Sequence, residues 1–182
     1  HASARTRTDV VTQLAPLADA IAATGVTSIP RIVADDTRHD DVRFLPDWKP
    51  SYTADVGYLK VTYHHNFFDG ANQRMPRVRF GEPVHVYNNL YSNVGGYGVA
   101  STMNAGVLVE GNYFENTDDP FHRGEGDSGP GNLVARNNVF VNSGSGDAGG
   151  SVASIPYSYS LDTASNVKSI VSAGAGAGRI SV

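Results

Sequence analysis

Four stretches of this chain can be laid over one another without gaps: Val61-Thr-Tyr-His-His-Asn66-Phe-Phe, Val84-His-Val-Tyr-Asn-Asn89-Leu-Tyr, Val107-Leu-Val-Glu-Gly-Asn112-Tyr-Phe and Leu133-Val-Ala-Arg-Asn-Asn138-Val-Phe. Their central asparagines are spaced 23, 23 and 26 residues apart. That period fits one coil of a parallel β-helix and is shorter than a βαβ unit of roughly 30 residues or more. The expected fold is therefore all-β, with each phrase forming one strand that ends in a bend.

The columns of the overlay assign the faces. Val61, Val84, Val107 and Leu133, and two residues later Tyr63, Val86, Val109 and Ala135, are apolar at alternate positions and predict an inward face. After each asparagine comes an apolar pair, Phe67-Phe68, Leu90-Tyr91, Tyr113-Phe114 or Val139-Phe140, which a coil can turn inward. Four residues after it stand Gly70, Asn93, Asn116 and Asn142, residue types that tolerate left-handed backbone. Stacked coils would bring Asn66, Asn89, Asn112 and Asn138 over one another, each amide donating to the next carbonyl.

Composition limits the class of protein. At 182 residues, with 20 glycines, 9 prolines and no run of about 18 apolar residues, the chain reads as one soluble, turn-rich domain without a membrane span. The absence of cysteine leaves the compartment open. Because the chain begins at His1, removal of an upstream segment such as a signal peptide is expected. A net charge of −4 argues against a dedicated nucleic-acid binder, yet residues 60–85 carry Lys60, Arg74, Arg77 and Arg79 against only Asp69 and Glu82. A cationic spot on an acidic body suits a narrow anionic ligand such as a sugar carboxylate.

The ends differ from the middle. Thr8-Asp9 can cap a helix with Val10, Val11, Leu14, Leu17 and Ile21 on one face and Gly25 as its stop, although Pro16 interrupts it. Such a helix would cover the open end of the stack. Residues 1–57 otherwise form an atypical N-terminal segment, preceding a β-helix domain at 58–182. Ala173-Gly-Ala-Gly-Ala-Gly178 reads as a surface tail.

The chemistry gathers in Asn72-Gln-Arg74-Met-Pro76-Arg77-Val-Arg79-Phe-Gly81, between the first and second phrases. Pro76 pushes Met75 toward extended geometry, and Arg77 and Arg79 share a face if this segment is a strand. On residue types alone the ordinary reading of such a cluster is a solvated basic turn or an ion-pair network, ahead of a binding site. Its place on the connection leaving a β-helix strand makes it a candidate binding loop. His64, His65 and His85 lie in strand columns and read as structural. His122 sits in an expected turn, Asp118-Asp119-Pro120, and remains unassigned.

Three segments, Val-Thr-Tyr-His-His-Asn-Phe-Phe-Asp-Gly, Gln-Arg-Met-Pro-Arg-Val-Arg-Phe-Gly and Val-His-Val-Tyr-Asn-Asn-Leu-Tyr, in this order and spacing, resemble the pectate lyases of polysaccharide lyase family one. The resemblance covers about residues 58–182. It implies a right-handed parallel β-helix, secretion to the extracellular space as a monomer, and calcium-dependent cleavage of polygalacturonate by β-elimination. It also implies that Arg74 is the proton-abstracting base and that Arg79 binds the substrate carboxylate. Trp48-Lys49 corresponds to the family's substrate-binding lysine motif, and His39-Asp40-Asp41 to a remnant of its calcium motif, though at shorter spacing. Calcium takes about six to eight oxygen ligands, which that remnant does not supply alone. Two alternatives stay open: a pectin lyase acting on methyl-esterified polymer, and a truncated, non-catalytic β-helix that binds pectin or serves structurally.

Overall fold

The computed structural model describes residues 56–176, which all belong to one compact unit, Leu45–Val182. These residues wind into stacked coils. The first coil contributes β1 (Thr62–His64), β2 (Phe67–Asp69) and β3 (Arg77–Arg79), and the second β4 (Val84–Tyr87), β5 (Leu90–Ser92) and β6 (Tyr97–Thr102). The third has β7 (Gly106–Glu110), β8 (Tyr113–Glu115) and β9 (Asp119–Arg123), and the fourth β10 (Asn132–Arg136) and β11 (Val139–Val141). Like strands pair in parallel into three sheets, ordered β1-β4-β7-β10, β2-β5-β8-β11 and β3-β6-β9. This is the parallel β-helix expected from the repeat. Each phrase, however, makes a strand, a bend and a second strand rather than one strand.

The bend repeats in backbone as well as in sequence. The residue before each central asparagine is left-handed (His65 φ 54°, Asn88 49°, Gly111 63°, Asn137 55°), and so is the residue four after it (Gly70 61°, Asn93 56°, Asn116 52°, Asn142 47°). Asparagine and glycine carry that conformation at least cost, which explains their density in these columns. The predicted ladder is present: Asn66 Nδ2 donates to Asn89 Oδ1 at 2.9 Å, Asn89 to Asn112 at 3.0 Å and Asn112 to Asn138 at 3.1 Å. Each accepting oxygen also takes the backbone N–H of the asparagine below, and Asn89 and Asn112 spend their second amide hydrogen on backbone carbonyls. Asn89 and Asn112 are fully buried and fully bonded.

The core also alternates more strictly than the paired apolar residues suggest. Only the second of each pair turns inward, so that Phe68, Tyr91, Phe114 and Phe140 stack with centroids 4.9, 4.6 and 5.6 Å apart. The first of each pair points out, as the two-residue period of a strand requires. There Leu90 and Tyr113 are covered by a helix, α1 (Ala164–Gly174), which presents Val167 and Val171, four residues apart, to them. Ala173 and Gly174 therefore end a packed helix instead of opening a tail, because burial of Val167 and Val171 extends it past the poor helix formers.

Between β11 and α1 the chain runs back over the outer face of the first sheet as an extended strap, residues 151–163. Tyr157 Oη meets Thr62 Oγ1 (2.6 Å) and His85 Nδ1 (2.8 Å). Tyr159 donates to Glu110 (2.6 Å), while Asp162 exchanges backbone bonds with the Asn88 amide. Underneath, His85 Nε2 and Glu110 Oε1 lie 2.7 Å apart, each side chain only 1% exposed, and Arg136 Nε adds a 2.6 Å bond to Glu110. Burial works to raise the Glu110 pKa, but the bonds from Arg136, Tyr159 and His85 outweigh it and hold the carboxyl below its usual range. Burial also dominates at His85 and lowers its pKa despite Glu110. The histidine column is thus structural, as the strand positions predict.

Candidate active site

The third sheet has the other outer face. Its floor is set by register: Arg77 of β3 pairs with Ala100 of β6, which pairs with His122 of β9, while Arg79 pairs with Thr102. Val78, between the arginines, is buried, so Arg77 and Arg79 share the outward face. Arg79 carries its guanidinium 5.8 Å from the ring centre of Phe80. Ala100, with only a methyl group, leaves room between Arg77 and His122.

Arg74 stands exposed in the turn entering β3, with φ 73°. A left-handed non-glycine residue of this kind costs of order 1–3 kcal/mol and persists where its surroundings over-determine it. Here the neighbours are pinned. Met75 N donates to Gly98 O (2.8 Å), the buried Tyr91 hydroxyl donates to Met75 O (2.6 Å), and Gly96 N donates to Asn72 O (2.7 Å). Glycine is required at 98, since a Cβ there would fall 2.4 Å from Pro120 O, and favoured at 96, where a Cβ would sit a tight 3.0 Å from Asn72 O.

Arg77 is engaged differently. Its Nη2 donates to Glu125 O (2.9 Å) and Ser128 Oγ (3.0 Å), on a tight turn closed by reciprocal backbone bonds between Glu125 and Ser128. That turn contains the extra residues of the third coil. β6 and β9 pair at an offset of 22 residues and β7 and β10 at 26, so the insertion lies between β9 and β10. His122 Nδ1 contacts Asp119 Oδ2 at 2.5 Å, its ring lies 4.6 Å from that of Tyr97, and Glu125 Oε2 is 3.3 Å from Nε2. Asp119, Pro120 and His122 therefore belong to a strand and not to the turn that Asp-Asp-Pro suggests. Parallel pairing with β6 overrides the local turn preference, and the proline occupies a place where β6 has the Gly98 close approach. Burial raises the pKa of the Tyr97 hydroxyl, opposed by the guanidiniums of Arg74 and Arg77.

The structure thus places Arg74 just before, and Arg79 at the close of, β3, the edge strand of the third sheet, while Lys49, Asp40 and Asp41, and the helix expected near residues 9–25, lie outside the described residues. Among the described residues no cluster of three His, Cys, Asp or Glu side chains suits a metal ion, so they do not by themselves make a calcium cage. Sequence reasoning missed Tyr97 and the Glu125–Ser128 turn. The one signal for the turn was the 26-residue spacing, which marks an insertion without placing it.

Comparison with known proteins decides the family. A family model described as pectate lyase matches residues 39–180. The chain belongs to the pectate lyase family. A pectate trisaccharide-lyase of Bacillus licheniformis is 44% identical over 122 residues, covering 66% of this chain and 35% of that protein. Pectate lyase A of Emericella nidulans is 38% identical over 122 residues, with coverages of 67% and 36%. The chain thus spans about a third of the length of these curated relatives. Among solved structures, a pectate lyase of Bacillus sp. N165 in complex with trigalacturonate superposes with a TM-score of 0.56 at 34% identity, covering 61% of this chain and 38% of that one. Pectate lyase C of Erwinia chrysanthemi, determined with 30 mM Ca2+, gives 0.57 at 28% identity, with coverages of 66% and 40%.

Proposed function

We propose that this chain cleaves polygalacturonate by β-elimination, with Arg74 as base and Arg79 as carboxylate clamp, giving unsaturated oligogalacturonides. The observation that carries this reading is Arg74: an exposed arginine held left-handed by anchored neighbours, at the entrance to a strand that presents Arg79 outward, in a member of the pectate lyase family. The relative solved with trigalacturonate supports a galacturonate polymer as the substrate.

The chemistry follows from the substrate. The C5 hydrogen of a galacturonate unit lies α to its carboxylate and is very weakly acidic while that carboxylate keeps its charge. A guanidinium on the carboxylate stabilises the enolate-like charge as the proton leaves, a preorganised electrostatic effect worth several kcal/mol in such sites. Arg79 is assigned that task. Arg74 is assigned the role of base and, acting in its neutral form, takes the proton. The C5–H electron pair becomes the C4=C5 double bond, and the C4–O4 bond breaks with its pair on oxygen. Calcium dependence belongs to the proposal. Its ligands would come from outside the described residues, with Asp40 and Asp41 as candidates, and no step above runs through the ion. Secretion follows from the substrate, an extracellular polymer.

Absorbance of the unsaturated product, followed on polygalacturonate with and without calcium, tests the reading. Activity should appear with calcium and saturate at about 10⁻⁴–10⁻³ M, the range of weak oxygen-ligand sites. Saturation at micromolar calcium would reveal a full carboxylate cage. Equal activity on methyl-esterified pectin without calcium would make it a pectin lyase, and polymer binding without product at any calcium concentration would make it a binding module.

A further inference from the structure

Backbone bonds from the second coil hold most of the turn that carries Arg74. Gly95 N donates to Ala71 O (3.1 Å), Gly96 N to Asn72 O (2.7 Å) and Ala100 N to Pro76 O (2.9 Å), while Met75 N donates to Gly98 O (2.8 Å). The carbonyl of Met75, the residue joined to Arg74, is the exception. It accepts from a side chain, the Tyr91 hydroxyl, at 2.6 Å. Met75 is thus held at both of its backbone polar groups, one by Gly98 and one by Tyr91.

The position of that hydroxyl is specific. Tyr91 belongs to the inward aromatic stack of Phe68, Tyr91, Phe114 and Phe140, and it alone of the four carries a hydroxyl. Packing in the other coils needs only a phenyl ring, and a hydroxyl buried among such rings is costly unless it is bonded. The Tyr91 ring is 0% exposed and lies between Phe68 and Phe114, with centroids 4.9 and 4.6 Å away, so it cannot swing aside. Burial pushes its pKa well above the ordinary value of 10, which keeps the group a protonated donor. We propose that Tyr91 is a positioning residue for Arg74: its hydroxyl, held rigid in the stack, fixes the Met75 carbonyl and so aims the left-handed Arg74 turn. This role rests on the reading of Arg74 as the base. Without the bond, Met75 is free to turn its carbonyl toward water and to take Arg74 with it. A displacement of about 1 Å at a catalytic group is enough to cost on the order of 10²-fold in rate.

Tyr91→Phe supplies the ring that the other three coils already carry. Assayed in the full chain on polygalacturonate with saturating calcium, it should lower kcat by about 10–10²-fold and leave KM nearly unchanged. Tyr91→para-aminophenylalanine returns a donor to the same place and should recover most of the loss. In an Arg74→Lys background Tyr91→Phe should have little further effect, because both changes act through one group. Asn112→Ala removes a buried ladder bond that does not touch the Arg74 turn; it controls for instability and should keep kcat. A crystal structure of Tyr91→Phe should show Arg74 displaced with β3 and β6 in place. An unchanged kcat, no recovery with the amino group, full additivity with Arg74→Lys or an unmoved Arg74 would each overturn the role. So would failure of Tyr91→Phe to fold, since the hydroxyl would then hold the coil rather than the turn. A wild-type chain without lyase activity is a different failure. It refutes the function, and the position of Arg74 in the Tyr91→Phe crystal still decides whether Tyr91 holds the turn.

Discussion

The outer faces of the first and third sheets are built from the same coils and carry similar side chains, yet they are solved in opposite ways. On the first sheet a strap covers the face, and the titratable groups beneath it are bonded: His85 to Glu110 and Tyr157, Glu110 to Arg136 and Tyr159. On the third sheet no strap crosses the described residues, Arg74 is exposed in a left-handed turn, and all three orphaned buried atoms of the described residues gather there. One face spends its polar groups on holding the coils together. The other leaves Arg74 exposed to solvent beside them. Strain and unsatisfied polarity are tolerated at functional sites because the rest of the fold over-determines them.

The strongest test of this contrast separates activity from stability at Arg74. Arg74→Lys should lower kcat by about 10²–10⁴-fold, the usual worth of a positioned acid or base, with polymer binding nearly intact. Arg79→Ala should weaken binding as well. Arg74→Lys should not move the urea midpoint appreciably, and Arg74→Gly, which relieves the left-handed residue, should if anything raise it. A large loss of stability in either Arg74 variant would place Arg74 among the structural groups and erase the contrast.

The covered face should respond in the reverse sense. Glu110→Ala leaves His85, Arg136 and Tyr159 without their shared acceptor, and breaking a buried charged network in this way costs about 3–5 kcal/mol, measured by denaturant unfolding. The same network fixes a pH dependence. The folded pKa of His85 is depressed below 6.5, so its contribution to stability is present above that value and lost as pH falls beneath it. Glu110, depressed below 4.5, adds a second loss that develops only under more acid conditions. Stability should therefore decline in two steps on acidification, and His85→Gln should remove the first. A flat profile down to the carboxylate range would show that His85 is not held neutral.

How much of this was legible in the sequence depends on what repeats. The coils, the inward columns and the asparagine ladder could be read because every coil needs the same bend and the same left-handed residues, so the pattern is written four times. The arginine face was found through a family motif. What appears once could not be read. The strap is ordered by Tyr157, Tyr159 and Asp162, each bonded to a residue roughly 50–100 positions earlier, and no local signal announces such partners. The helix at Ala164–Gly174 was hidden for the same reason, since its burial against Leu90 is set by the neighbouring coil and not by its own weak propensity. Asp119-Pro120 shows the converse failure, a turn-like dipeptide drawn into a strand by the coil beside it.

The smallest effects distinguish the two ladders that run side by side up the bends. The inner one, Asn66 to Asn138, includes fully buried members, whereas Asn93, Asn116 and Asn142 form an exposed ladder with bonds of 2.9 and 3.4 Å. Their geometry is alike in kind, so burial should decide their worth. Asn112→Ala strands the Asn89 amide and the Asn89 backbone N–H and should cost about 1–3 kcal/mol. Asn116→Gly keeps the left-handed backbone at φ 52°, gives its side-chain bonds back to water and should stay within about 0.5 kcal/mol of wild type. Asn116→Ala should fall between them, losing about 1–2 kcal/mol from the unfavourable φ alone. If Asn116→Gly proved as costly as Asn112→Ala, the exposed ladder would be a structural element in its own right, and burial would not be what separates the two.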